Sequence, residues 1–113
     1  MRIVWSEYAL SRLKIIYDYY VNYVSIVKAE EVSNLIVLRI DDLLSFPYLG
    51  QIEYCSKSGR EHNMRYILIY QYKILYEIVQ EDIIILDVFH TKQSPYKMYL
   101  NEEPSEYAIK RNI

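Results

Sequence analysis

The 113-residue chain has a single cysteine, Cys55, so no disulfide can close within it and its thiol content fits a reducing compartment. Glycine is nearly as scarce, with two, and proline contributes three. That scarcity excludes a collagen-like or low-complexity chain, and with 52% apolar residues the composition is that of a compact globular domain. Long apolar runs are missing too. Aliphatic stretches such as Ile83 to Leu86 are strand-sized, well short of the ~20 residues a membrane helix needs. Arg2, Glu7, Arg12 and Lys14 interrupt the N-terminal segment, so export is not expected and the cytoplasm is the expected location. A basic excess is also absent: 13 Lys and Arg stand against 15 Asp and Glu, a net charge of −2. Residues 57–98 hold six basic against five acidic side chains, so any nucleic-acid contact would have to be a local pocket rather than a broad cationic surface.

The hydrophobic pattern supplies the positive signals. Arg2 to Trp5 is a short stretch of β-formers ending at Ser6, which reads as a helix N-cap, with Glu7 suiting the helix dipole and Trp5 and Leu10 spaced as a hydrophobic staple. Ala9, Leu10, Leu13, Ile16, Tyr17 and Tyr20 then recur at three- and four-residue intervals and predict one apolar face. Ser25 reads as the cap of a second helix, with Val32, Leu35, Ile36, Arg39, Ile40, Leu43 and Leu44 in helical register until Phe46-Pro47 stops it. The short connection at residues 22–25 predicts an antiparallel helical hairpin.

Residues 47–63 read as a loop. Three β-like runs follow, Met64 to Tyr70, Tyr72 to Val79 and Ile83 to His90, separated by hairpin-length connections. The order β-α-α-β-β-β predicts an α+β domain in which a helical hairpin covers one face of a mainly antiparallel sheet. The expected domain is residues 1–98, with 99–113 a tail or a short helix.

Five segments in this order and spacing resemble the RelE/ParE superfamily of bacterial type II toxin-antitoxin toxins: VWSEYALSRLKIIYDY (Val4 to Tyr19), FPYLG (Phe46 to Gly50), SGREHNMRYILI (Ser58 to Ile69), YKILYEI (Tyr72 to Ile78) and IIILDVFHTKQSP (Ile83 to Pro95). The resemblance implies a small toxin held by a cognate antitoxin in a heteromeric complex, without a cofactor. It leaves two targets. Relatives near ParE poison DNA gyrase, whereas RelE-like relatives cut mRNA on the ribosome. The ending Tyr17-Asp18-Tyr19 and the weak positive charge are closer to the ParE branch, and a degenerate, non-toxic binding module is a third reading.

Metal-free RNA cleavage requires a base for the 2′-hydroxyl, an acid for the leaving oxygen and cations around the phosphate. His90 at the end of the last strand suits either proton role, and it matches a histidine that often follows the last strand in the superfamily. Arg60 and Arg65 are candidate phosphate clamps, Arg65 at a position that touches phosphate in nuclease relatives. Lys92 is a further cation and Glu61 a candidate base. Each also has an ordinary reading: His90 as a hydrogen-bonded strand end, Arg60 and Glu61 as a surface ion pair, Arg65 as a salt bridge to the helices and Lys92 as a solvated residue. His62 has no second histidine or cysteine at ligand spacing, so no metal site is expected.

Tyrosine is the strangest feature of the composition, with 14 in the chain. A tyrosine buries its ring while keeping its hydroxyl wet, which suits a thin core and a protein-binding surface more than base stacking. That much aromatic surface exceeds what one small core hides, and a partner protein is expected to cover part of it.

Overall fold

The computed structural model describes residues 1–53 and 64–92. Its elements are strand β1 (Arg2–Trp5), helix α1 (Glu7–Tyr23), helix α2 (Ile26–Ser45), strand β2 (Gln51–Ile52), and strands β3 (Met64–Ile69), β4 (Tyr72–Val79) and β5 (Asp82–His90). The expected α+β layout holds, with two additions. The sheet has five strands in the order β1-β5-β4-β3-β2, and β1 joins it parallel to β5, which makes the sheet mixed. The stretch read as a loop contributes β2, a two-residue strand that pairs antiparallel with Arg65 and Tyr66. Two residues carry too little periodicity to be read as a strand from sequence alone.

Both helices start where their caps predict. The Ser6 hydroxyl accepts the Ala9 amide at 3.0 Å and the Ser25 hydroxyl accepts the Lys28 amide at 3.0 Å. Only Val24 and Ser25 separate the helices, so they fold back against each other and lay a joint apolar face on the sheet. Ala9, Ile16 and Tyr20 from α1 and Ala29, Val32, Ile36, Ile40 and Leu43 from α2 meet Ile67, Ile74, Tyr76, Ile83, Ile85 and Val88 from the strands. Three expected core residues lie outside this cluster. Leu10, Leu35 and Leu44 are exposed, because the hairpin partner and the sheet take up a narrower stripe than the run of aliphatics offers.

The hairpins turn without glycine. Tyr70 and Gln80, the first residues of the two-residue connections, hold positive φ values of 57° and 55°. That is the position which a type II′ turn fills with glycine, and a side chain there costs about 1 kcal/mol.

One irregularity controls the sheet's chemistry. Leu75 pairs with Asp87 but Tyr76 pairs with Ile85, so Leu86 is an extra residue in β5. Such a bulge exchanges the two faces of the strand beyond it. Ile83 and Ile85 face the helices before the bulge, and Val88 does so after it. Ser6 holds the bulge in place: its amide donates to the Ile85 carbonyl at 3.1 Å and its hydroxyl to the Leu86 carbonyl at 3.3 Å.

Candidate functional site

The sheet register decides what the sequence leaves open, which is whether Arg65 and His90 share a face. Arg65 lies opposite Tyr76, and His90 opposite Tyr72. Tyr72 and Tyr76 both belong to the helix-side core, so Arg65 and His90 are on the helix side of the sheet as well. They stand at opposite ends of it. Four residues along β4 at ~3.3 Å each and two strand spacings at ~4.8 Å place their Cα atoms on the order of 16 Å apart.

His90 forms the rim of a cleft of about 280 Å³ lined by Ile15, Ile16, Tyr19 and Tyr72. Its ring stands edge-on to Tyr72, with centroids 5.5 Å apart. Both ring nitrogens are engaged. The Lys92 amide donates to Nδ1 at 3.0 Å, which leaves the ring hydrogen on Nε2 to be donated to Gln71 Oε1 at 2.9 Å. The Thr91 amide closes the same corner on the Gln71 carbonyl at 2.8 Å. Lys92 comes to this end through its backbone, with its side chain exposed. Behind the ring, the Tyr72 hydroxyl donates to the Tyr20 hydroxyl at 3.3 Å, and burial pushes the Tyr72 phenol well above the usual tyrosine range.

Arg65 serves the other end. Its Nη1 donates to the Gly50 carbonyl at 2.8 Å and its guanidinium lies 5.0 Å from the centre of the Tyr48 ring. The same turn is fastened from beneath by Tyr76, whose hydroxyl donates to the Pro47 carbonyl at 2.8 Å and accepts the Gly50 amide at 2.9 Å. Gly50 sits so close that an added Cβ would lie 2.6 Å from the Tyr66 carbonyl oxygen and 2.7 Å from the Tyr76 hydroxyl. The FPYLG segment is therefore a pinned turn whose Phe46, Tyr48 and Leu49 side chains stay exposed.

Arg60, Glu61 and His62 lie outside the described residues, as do Cys55 and the C-terminal segment from Gln93 onward. Among the described residues no group of three His, Cys, Asp or Glu side chains comes together as a metal site, and no helix is long and apolar enough to cross a membrane. Two charged pairs escaped the sequence reading. Lys73 Nζ meets Glu53 Oε1 at 2.8 Å with both side chains largely buried, and the ammonium also lies 4.0 Å from the centre of the Tyr66 ring. Arg12 Nε approaches the buried Asp87 at 3.5 Å. Lys73 and Asp87 occupy strands whose aliphatic alternation was legible, and a charged residue interrupting such a run was the signal available for both.

Set beside known proteins, residues 3–95 match the family model described as the ParE toxin of the type II toxin-antitoxin system parDE. The chain belongs to the ParE toxin family. Among solved structures, this ParE-family chain superposes on one described as "Chromosomal ParDE TA system from P. aeruginosa" with a TM-score of 0.67. That match has 21% identity and covers 80% of this chain and 95% of the other. It shows the shared fold, two helices on a five-stranded mixed sheet. A comparison with curated protein sequences finds no match. The ParE-family chain is thus a toxin of a toxin-antitoxin system by family, with Arg65 and His90 at two ends of one sheet face.

Proposed function

We propose that this chain inhibits growth by binding a protein target, DNA gyrase, and that a cognate antitoxin silences it in a heteromeric complex in the cytoplasm. The observation that carries this reading is the separation of Arg65 from His90. A ribonuclease centre needs base, acid and cation around a single phosphate, within about 3 Å of the reacting atoms. Here the Cα atoms of His90 and Arg65 stand on the order of 16 Å apart along the sheet. Each is already committed, His90 to Gln71 and the Lys92 amide, Arg65 to Gly50 and Tyr48. The net charge of −2 adds no field to draw in RNA. Membership of the ParE family and the exposed aromatic and aliphatic side chains of the helices and the FPYLG turn support a protein-binding toxin.

The test pairs an induced culture with an assay on purified gyrase. The expected result is growth arrest with cleaved-DNA complexes, loss of supercoiling by purified gyrase, and intact mRNA in primer extension. Codon-linked mRNA cuts that disappear in His90→Ala and Arg65→Ala would overturn the gyrase reading. Unimpaired growth with silence in both assays would replace the toxin by a non-toxic binding module.

A further inference from the structure

The sheet face turned away from the helices is buried as well. Leu75 projects to that side of β4, between Ile74 and Tyr76 of the helix-side core, and Asp87 stands opposite it on β5. Phe89, opposite Lys73, and Met64, opposite Glu77, share the face. Met64 and Asp87 are 1% exposed, Leu75 2% and Phe89 3%. Of the described elements, the helices lie on the other face and the strands form the sheet itself. An antiparallel sheet with one face in water alternates apolar inward and polar outward. Here large apolar side chains stand on both faces, and on an uncovered pleated surface their tips would stay in water. The largely buried Lys73 and Glu53 pair belongs to the same side. Leu68, also opposite Lys73 but on β3, is 53% exposed, so the cover stops short of that corner.

Burial within a single chain requires a cover from the chain itself, and two stretches are left to supply it, residues 54–63 and 93–113. The first joins Glu53 to Met64, and the Glu53 amide donates to the Met64 carbonyl at 2.8 Å, so both its ends are fixed at the β3 edge of the face. Eight of its ten residues are polar or glycine, which leaves it little to lay on Phe89. The second stretch follows the end of β5, close to Phe89, and contains the run Tyr96-Lys97-Met98-Tyr99-Leu100. From Phe89 to Met64 is four residues along the strands and two strand spacings, on the order of 16 Å, and residues 93–100 can span ~26 Å. We infer that residues 96–100 lie across this face and close it as a third layer over Phe89, Leu75 and Met64. The family match ends at residue 95, so this cover lies beyond the family domain. It is independent of the growth target, since the gyrase reading neither requires it nor follows from it.

Nitroxide labels on the full chain test the placement by nuclear magnetic resonance. With Cys55→Ser removing the native thiol, a label at Lys97→Cys should broaden the methyl signals of Leu75 and Met64 and leave that of Leu38, exposed on α2, sharp. Reducing the nitroxide should restore the broadened signals. Melting gives a second readout. Met98→Asp with Leu100→Asp should lower Tm by roughly 15 °C, because large apolar side chains lose their cover. Glu102→Gln with Glu103→Gln, just past the run, should leave Tm unchanged. Sharp Leu75 and Met64 signals under the label at residue 97, or a Met98→Asp with Leu100→Asp chain that melts with the wild type, would overturn the proposal. Broadening from a label at Lys57→Cys but not from Lys97→Cys would overturn it in favour of residues 54–63. Broadening that passes between separately labelled chains would overturn it in favour of a second copy. Growth on induction enters none of these measurements, so the proposal and the toxin reading fail separately.

Discussion

Replacing Tyr76 by Phe keeps the ring in the core and removes one oxygen atom, the one that ties β4 to the FPYLG turn. The wild-type hydroxyl donates to Pro47 and accepts from Gly50, on a residue with no exposed surface. A net hydrogen bond contributes ~1 kcal/mol, and a buried partner left unpaired costs ~1–3 kcal/mol. Pro47 is half-buried and can regain water, whereas Gly50 is buried and cannot. The expected loss is therefore about 2–3 kcal/mol, or roughly 10 °C in Tm for a domain of this size. Urea unfolding should show a lower midpoint at an unchanged m value, since the same surface is exposed. The pH dependence gives a second readout. Burial raises the Tyr76 phenol above its usual value, outweighing the Gly50 amide and the Arg65 charge, which lower it. Above pH ~10 the unfolded chain loses this proton while the folded chain keeps it. Stability that is fully present below pH 10 then falls as pH rises toward the folded value, by up to about 1.4 kcal/mol per pH unit for each such tyrosine. Tyr72 is shifted in the same direction, also mainly by burial, so Tyr76→Phe should flatten the alkaline decline without abolishing it. A variant within ~0.5 kcal/mol of wild type, with the same alkaline slope, would refute the clamp.

Further outcomes follow from single features of the fold. Ser6→Ala removes both the α1 cap and the hydroxyl on the bulge carbonyl, and should cost about 1–2 kcal/mol in chemical denaturation. Gln80→Gly, at a φ of 55°, should raise the unfolding free energy by about 1 kcal/mol in urea titration, and a decrease would show that the turn is unstrained. Ser33→Ala deletes a buried hydroxyl that has no hydrogen-bond partner among the described residues; calorimetry should record a gain of about 1 kcal/mol. Lys73→Met strands the buried Glu53 carboxylate and should cost ~3 kcal/mol or more, most of it recovered when Glu53→Leu is added. A Lys73→Met chain as stable as wild type would mean that the pair is solvated.

Local chemistry was legible wherever a residue acts on its chain neighbours. Ser6 and Ser25 announce helix starts because a hydroxyl three residues before an orphan amide can satisfy it in any tertiary context. Phe46-Pro47 ends α2, and the aliphatic and tyrosine runs mark β3, β4 and β5 to within a residue or so at each end. The candidate site was legible only as a list of residue types. Gln71 as the partner of His90, and Gly50 as the acceptor for Arg65, are contacts across 19 and 15 residues for which no local pattern exists.

The sequence by itself determined the two helices, the three long strands and their order, because capping and periodicity depend on neighbours a few residues away. Tertiary structure alone decided which way the chemistry points. Alternation continued from Ile83 and Ile85 would carry Asp87 and Phe89 to the helix side and His90 to the opposite face. The extra residue at Leu86, held by a serine 80 positions earlier, puts His90 on the helix side beside Tyr72, and the sheet register then sets Arg65 at the far end of that face. A bulge costs one residue of pairing and is compensated by hydrogen bonds from a distant element, so the reason for it lies in packing and not in the order of residues along β5.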